Sequence, residues 1–210
     1  MNLKAFTGSY ANGSMDNASR SENTRNAVIQ AALEIIARNG PGKLTLDAIA
    51  RECGMSKGAV THHFRTKQAV LKALLEHEIE YFKKFAEDYC RKNGGTQKNP
   101  NLLSQIATAR ETIRSDASPA LAIFGAVAEE PGLLSVSRDL SAEIVEKLKA
   151  ETDDPDLALL RWVAASGLAI TAMFGMSPLS DADRERLFAR LQDNSRWEGL
   201  ASPGKSPETA

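Results

Sequence analysis

The sequence predicts an all-α protein in which a three-helix N-terminal domain is joined by a long helix to a larger α-helical domain. Between the first twenty residues and the last ten, nearly every segment has apolar residues at three- and four-residue spacing. No segment shows the alternation of apolar and polar residues that is typical of a half-buried strand. With 210 residues, 42% of them hydrophobic, the chain can bury a full core.

Four segments are expected along the chain. Residues 1–20 are rich in Asn, Ser and Gly without sustained periodicity, which predicts a flexible arm. Residues 21–68 form the first domain and residues 69–195 the second, and residues 196–210 are expected to be a flexible tail.

The first two helices are predicted by their apolar faces and by their ends. The first runs from about Glu22 to Asn39, where Gly40-Pro41-Gly42 ends it. The second begins at Thr45, whose hydroxyl can cap the free backbone amides. The residues that face inward are Val28, Ala32, Ile35 and Ile36 in the first helix and Leu46, Ile49, Ala50 and Cys53 in the second.

Gly54 permits a left-handed turn that leads into the third helix. Ser56 caps this short helix, which carries Val60 and Phe64 inward. Thr66 caps a long fourth helix, and Asn93-Gly94-Gly95 ends it. Its apolar stripe consists of Val70, Leu71, Leu74, Leu75, Phe82, Phe85 and Tyr89.

Five more helices are expected after that linker. Asp154 before Pro155 is a strong start signal, because proline at the first helical position gives up only an amide that has no partner there. The expected ranges are Leu102 to Arg114, Pro119 to Ala128, Leu133 to Ala150, Pro155 to Met176 and Asp181 to Gln192.

Residues 45–64 have the pattern of a helix-turn-helix, with a helix of eight or nine residues, a glycine turn and a second short helix. The outward residues of the second helix are small, polar or basic: Ser56, Lys57, Gly58, Ala59, Thr61 and His62. Such a helix can enter the major groove of DNA, where its N-terminal side chains meet base edges. From periodicity alone, a structural helical corner with an incidental lysine explains the pattern equally well.

The charge distribution favours a polyanionic partner for this region. Nine basic and four acidic residues lie between Arg20 and Lys72, a net charge of +5, whereas eleven basic and seventeen acidic residues follow from Asn101, a net charge of −6. The whole chain carries only −1. A basic head on an acidic body is typical of DNA-binding regulators, although a scatter of solvated surface charges gives the same numbers.

The run Ser56-Lys57-Gly58-Ala59-Val60, followed by His63-Phe64 and then Lys67, resembles the N-terminal domain of the TetR family of regulators. The similarity covers roughly Glu22 to Lys72, and the segment from Leu168 to Ser180 resembles a subset of the family. The resemblance implies that Lys57, Gly58 and Ala59 lie over base edges. It also implies that phosphates are contacted by Thr45, Thr61, His63 and Lys67.

Two details of this segment bear on DNA contact. The family commonly has a tyrosine where this chain has Thr61, which can donate a hydrogen bond but lacks the reach of the ring. His62 and His63 point about 100° apart on a helix, so both cannot face DNA equally, and His63 is the expected phosphate contact. Arg20 and Arg25 either reach an adjacent minor groove from the arm or are simply solvated.

The second domain is expected to form a dimer and to bind a small molecule. The helix from Pro155 to Met176 is apolar nearly all round after Trp162, and its small residues let another backbone approach closely. Together with Leu187, Phe188 and Leu191 it is expected to be buried in a four-helix dimer seam, the alternative being the central helix of a monomeric bundle. The candidate pocket residues are Phe82, Phe85, Ile106, Phe124, Trp162 and Met173.

These observations predict a repressor that binds a palindromic operator as a homodimer and is released by a small apolar or amphipathic effector. An activator, a ligand-independent regulator and a helical interaction module without DNA binding are the alternatives. No catalytic residue, cofactor or metal site is expected, because the chain lacks a phosphate-binding loop and a nucleophile paired with a base. Cys53 and Cys90 have no zinc-site spacing, and no signal peptide or membrane span is expected, which favours a cytoplasmic protein.

Overall fold

A computed structural model describes residues 17–114, 123 and 131–200 of the chain. Within these residues the chain is α-helical with short 3₁₀ turns and contains no strand, which confirms the predicted all-α fold. The helices are α1 (Asn17–Asn39), α2 (Leu46–Glu52), α3 (Lys57–His63), α4 (Lys67–Asn93), α5 (Pro100–Arg114), α6 (Leu134–Ala150), α7 (Pro155–Met173) and α8 (Asp181–Gln192).

Most predicted helix boundaries agree with the structure to within two residues. Helix α1 begins at Asn17, so the last four residues of the predicted arm are helical. Helix α7 ends at Met173 and not at Met176. The helix predicted from Pro119 to Ala128 lies outside the described residues, apart from Ile123, which is helical and buried.

Three predicted N-terminal caps are present. In each, a side-chain hydroxyl oxygen accepts the backbone amide of the residue three positions later. The backbone amide of Ala48 donates to the Thr45 hydroxyl at 3.0 Å, and the Ser56 and Thr66 hydroxyls each accept an amide at 3.1 Å. Each such cap satisfies one of the amides that a helix start leaves without a partner.

The turn between α2 and α3 forms at the glycine that the sequence singled out. Gly54 has φ +68°, in the left-handed region that favours glycine. The amide of Met55 donates to the carbonyl of Ala50 at 2.9 Å, and that of Gly54 donates to Arg51 at 3.3 Å. This paired pattern is the Schellman motif, which ends α2 and turns the chain towards α3.

Helices α1 to α3 and the first half of α4 enclose one apolar core, and we call this unit the head. The head core includes Val28, Ile49, Val60, Val70 and Leu74, all 0% exposed. Leu46, Cys53 and the later stripe residues of α4 are only partly buried. The head core therefore fixes α2 and α3 against α1 and α4, and leaves one face of α3 open.

The second half of α4 and helices α5 to α8 enclose a second core, and we call this unit the body. Leu102, Ile106 and Leu148 are 0% exposed, and Phe188 is 1% exposed. Helix α5 lies centrally, with its most extensive packing against α7 and α4. Because α4 contributes to both cores, it is a continuous element between head and body.

Helix α7 ends earlier than predicted because of glycine. Gly175 has φ +65°, and the amide of Met176 reverses to donate to Thr171 at 2.8 Å. The Gly175 amide donates to Ala172 at 3.0 Å, which completes a second Schellman motif. Periodicity continues through this segment, so it gave no sign of the break.

The predicted tail is also shorter than expected, because residues 194–200 form two 3₁₀ turns. Trp197 packs against the body core, and its indole N–H donates to the carbonyl of Arg190 at 2.9 Å. The Arg161 guanidinium lies 5.4 Å from the Trp197 ring centroid. Residues 196–200 are therefore part of the body, and residues 201–210 lie outside the described residues.

Candidate nucleic-acid interface

The exposed face of α3 carries the residues that the sequence placed at the DNA. Ser56, Lys57, Gly58 and His62 are exposed, and Ala59, Thr61 and His63 are partly exposed. Val60 and Phe64 point into the head core at 0% and 4% exposure. A methyl group built on Gly58 would have only the Ser56 Oγ nearby, at 3.8 Å, so the start of this helix presents little bulk.

Lys57 is held by a residue of the preceding helix. Its Nζ lies 3.0 Å from the carboxylate of Asp47, which stands in the first turn of α2. The lysine side chain is 62% exposed and that of Asp47 is 60% exposed, so the pair lies on the surface. Asp47 was not among the predicted contacts, although the sequence places an acidic residue in the first turn of α2 and a basic residue at the start of α3.

Thr61 uses its hydroxyl proton within its own helix. The Thr61 Oγ1 donates to the carbonyl of Gly58 at 3.1 Å. In the free protein this side chain therefore has no proton directed outward, which weakens the expectation that it donates to a phosphate. The rings of His62 and His63 meet edge to face with centroids 5.2 Å apart, and His62 is the more exposed of the two.

Lys67 and Thr45 flank α3 on neighbouring elements. Lys67 is the first residue of α4, next to the Thr66 cap, where the unpaired amides and the helix dipole favour an anion. Thr45 is exposed at the start of α2, with its hydroxyl oxygen engaged as a cap acceptor. The predicted DNA contacts thus come from the starts of α2 and α4 and from the whole length of the short α3, all fixed by one core.

The two arginines near the N-terminus lie on α1 and not on a flexible arm. Arg20 is exposed in the first turns of that helix. The Arg25 guanidinium lies 5.6 Å from the Phe64 ring centroid and 3.8 Å from the Glu76 carboxylate. In this structure Arg25 contacts other side chains of the head, namely those of Phe64 and Glu76.

A cavity of about 430 Å³ opens in the body between α4, α5, α6 and α7. Three of the six predicted pocket residues line it, namely Phe82, Trp162 and Met173. Two do not, because Phe85 is not on the wall and Ile106 is fully buried in the body core. Phe124 lies outside the described residues.

The α5 wall of the cavity is polar, which the sequence analysis missed. Ser104 donates its hydroxyl proton to Asn101 at 2.7 Å, and Thr108 donates to Ser104 at 2.8 Å. Gln105 and Thr112 also line this wall. The four-residue spacing of the hydroxyls at 104, 108 and 112 was the available signal, because it places them on one helix face.

One face of α7 is apolar and exposed in the single chain, and the predicted dimer seam stays a prediction. Leu160 is 67% exposed, Val163 58%, Ile170 45% and Phe174 42%. Phe188 and Leu191, expected in the dimer seam, are instead core residues of the body. Helix α7 is long and apolar enough to cross a membrane by length and composition alone, and 28% of its most apolar window is buried.

Asp154 accepts the amide of Leu157 at 3.0 Å, so this aspartate caps α7 as expected. Within the described ranges, no group of three His, Cys, Asp or Glu side chains is placed to hold a metal ion.

Two family models match this chain. Residues 28–74 match the model of bacterial regulatory proteins of the tetR family, and residues 102–196 match a tetracycline repressor-like C-terminal domain. Among curated proteins, the HTH-type transcriptional regulator SrpR of Pseudomonas putida is 44% identical over 66 residues, which is 30% of this chain and 31% of SrpR. The alignment thus spans less than a third of that relative.

Solved structures share the fold over most of the chain at low identity. A transcriptional regulator from Rhodococcus sp. Rha1 aligns with a TM-score of 0.65 and 20% identity, over 85% of this chain and 99% of that one. The multidrug binding protein EbrR, solved with malachite green, aligns with a TM-score of 0.62 and 21% identity, over 80% and 96%. The two family models, which match residues 28–74 and 102–196, together with the helix-turn-helix geometry show that the chain belongs to the TetR family of transcriptional regulators.

Proposed function

We propose that this regulator is a repressor that binds a palindromic operator as a homodimer and leaves it when a small amphipathic molecule enters the body cavity. Residues 21–68 act as the DNA-binding domain and residues 69–195 as the sensing and dimerisation domain, in the cytoplasm. The observation that carries the proposal is that α4 joins both units, since it opens at the candidate interface with Lys67 and lines the cavity with Phe82.

At the operator, α3 lies in the major groove. Lys57, Gly58 and Ala59 approach the base edges, while Ser56, His62, His63 and Lys67 contact or face the backbone. Thr45 contributes at the start of α2. Thr61 contributes least, because its donor already serves Gly58.

The exposed stripe of α7 supports a second copy of this chain as its partner. Leu160 and Val163 lie on one face of the helix, beside Ile170, which also lines the cavity, and exposed apolar surface of this kind is unfavourable in water. Two copies packed through this stripe present two α3 helices, which lets the dimer read successive major grooves of a symmetric site.

The cavity supports an amphipathic effector. Phe82, Trp162 and Met173 offer apolar contact, while the α5 hydroxyls offer lone pairs, because the protons of Ser104 and Thr108 are already donated to their own helix. An effector with an apolar body and a hydrogen-bond donor fits both walls. Displacement of α4 by this molecule moves the head and changes the spacing of the two α3 helices.

Fluorescence anisotropy with duplex DNA tests the DNA interface. We expect selective binding to an operator that weakens with added salt and weakens about tenfold in Lys57→Ala or Lys67→Ala, because each removes a cation from a polyanion contact. Lys149→Ala on α6 is the matched control, since it removes the same charge from an exposed position far from α3. Equal losses in all three variants would contradict the interface.

Light scattering after size exclusion tests the dimer. We expect the wild type to run as a dimer and Val163→Asp to run as a folded monomer, because the substitution charges the stripe without entering the core. Tyr81→Asp on α4 is the control, since Tyr81 is also apolar and 49% exposed but lies off the stripe. A dimeric Val163→Asp protein would contradict this assignment.

Malachite green, the ligand in the EbrR structure, serves as a first probe of the apolar wall of the cavity, since its dimethylamino groups carry no hydrogen-bond donor for the α5 hydroxyls. We expect isothermal titration calorimetry to detect its binding to the wild type, and we expect it to release the operator. Ala109→Trp fills the cavity and is expected to abolish both effects with DNA binding intact, whereas Ala189→Trp on exposed α8 changes neither. Operator release that persists in Ala109→Trp would place the ligand elsewhere.

A further inference from the structure

The pair formed by Lys57 and Asp47 lies in the middle of the proposed interface. The distance of 3.0 Å joins the first residue of α3 to the first turn of α2, so the pair spans the two helices of the helix-turn-helix. A carboxylate at this position faces the DNA together with the lysine, and it opposes the approach of a polyanion. Its presence therefore lowers the affinity that the lysine alone would give.

Stability does not account for the pair. Both side chains are about 60% exposed, and exposed ion pairs contribute little to folding. The angle between α2 and α3 is already fixed by Ile49 and Val60, both 0% exposed, and by the cap at Ser56. We therefore expect the pair to affect DNA binding and not folding.

We propose that Asp47 is a specificity-determining residue that acts by restraining Lys57. The carboxylate keeps the ammonium group near the start of α3, where it meets base edges, and away from the phosphates. An unrestrained lysine is a point charge on a flexible stem that contacts the phosphates of any sequence. Asp47 thus reduces binding to random DNA more than binding to the operator. This inference rests on the proposed placement of α3 in the major groove.

The test compares Asp47→Asn with the wild type on an operator, recovered by selection from random duplexes, and on a scrambled duplex, each over a range of salt. We expect affinity for scrambled DNA to rise about fivefold and its salt slope to steepen by about 0.9, the value for one added phosphate contact. We expect operator affinity to change less than about twofold, because Lys57 already has its partners there. The ratio of operator to scrambled affinity then falls.

Glu52→Gln is the matched control. It removes the same charge from the same helix, and it also releases a cation, Arg38, whose Nη2 lies 2.7 Å from the Glu52 carboxylate. We expect the affinity ratio to stay at the wild-type value. If both variants lower the ratio equally, net charge alone explains the effect and the proposal is wrong.

A double-mutant cycle separates restraint of Lys57 from a direct effect of the Asp47 charge. In a Lys57→Ala background, Asp47→Asn is expected to leave the ratio of operator to scrambled affinity unchanged, because loss of the carboxylate then raises affinity for both duplexes alike. The same fall of this ratio in both backgrounds would overturn the proposal. If Lys57→Ala alone leaves DNA binding intact, the proposed DNA interface is itself wrong, whatever Asp47→Asn does. If Lys57→Ala weakens binding but Asp47→Asn has no effect, only this inference fails.

Discussion

The head and the body use their polar side chains in different ways. In the head, Thr45, Ser56 and Thr66 each bond an amide only three residues further along the chain. In the body, Asp154 and Ser180 also cap helices locally, but further polar contacts join distant segments. Arg161 reaches the carbonyl of Leu191, 30 residues away, and Glu151 reaches the start of α5, 49 and 50 residues back.

This difference shows two ways of holding helices in place. The head sets the starts of α2, α3 and α4 through local caps and then buries one apolar face of each helix, so short-range contacts fix its α3 surface. The body places charged side chains on the open ends of other helices. Its cavity therefore depends on contacts that close large loops, and substitutions at these contacts are expected to be the most damaging.

Arg161→Ala is expected to have the largest effect. Arg161 is 3% exposed and donates to Leu191 O at 3.1 and 2.6 Å and to Asn194 Oδ1 at 3.0 Å. Its loss leaves a helix end without its donor and removes the packing on Trp197, at a cost of about 3 kcal/mol in the free energy of unfolding. Urea denaturation followed by circular dichroism measures this loss in the free energy of unfolding.

Arg190→Ala is the control for that measurement. Arg190 is exposed on α8, and only its backbone carbonyl contacts Trp197, which the substitution keeps. We expect a change within about 0.5 kcal/mol. A loss in Arg161→Ala no larger than in this control would show that long-range polar contacts do not hold the body.

Glu151→Ala is expected to cost about 2 kcal/mol, because one carboxylate accepts three hydrogen bonds at the start of α5. The amides of Asn101 and Leu102 donate at 2.9 and 2.7 Å, and the Asn101 side-chain amide donates at 2.8 Å. The same denaturation experiment measures the loss, with Glu146→Ala on the exposed side of α6 as the control. Hydrogen exchange sharpens the comparison, since protection should fall first in α5 and not in α2 or α3.

Thr66→Ala tests a local contact of the head. Loss of the N-terminal cap is expected to cost about 1 kcal/mol, and Thr66→Ser to cost little, because the serine hydroxyl accepts the same amide of Ala69. Thermal denaturation of the three proteins measures this. If Thr66→Ala is as destabilised as Arg161→Ala, local contacts in the head contribute as much to stability as long-range contacts in the body, and the proposed difference between the two units is wrong.

The same division explains how far the sequence could predict the structure. The caps, the turn at Gly54 and the outward residues of α3 follow from neighbours in the sequence, so the helices of the head and their exposed residues were predictable. The polar α5 wall and the buried position of Phe188 depend on which helices pack together, which periodicity does not specify. Asp47 was missed because its importance arises only once α2 and α3 are brought together.

The smallest expected effect is a pH dependence of the contact between α5 and α8. The Arg110 guanidinium donates a hydrogen bond to the Glu185 carboxylate, and the Arg114 Nε lies 3.9 Å from the same carboxylate. The hydrogen bond and the two positive charges hold the pKa of Glu185 below its ordinary value. A lowered pKa means that the stabilisation is fully present above the ordinary glutamate range, and is lost as the pH falls through the lowered value.

Glu185→Gln removes this titration and serves as the comparison. Near pH 7 the wild type should be slightly more stable than the glutamine variant, and the difference should shrink below about pH 4.5, as the carboxyl takes up a proton. Because the Glu185 side chain is 43% exposed, solvent screening keeps the effect small. A stability difference that grows as the pH falls would contradict the predicted direction of the pH dependence. A difference that does not change with pH would mean that packing, and not charge, stabilises the contact between α5 and α8.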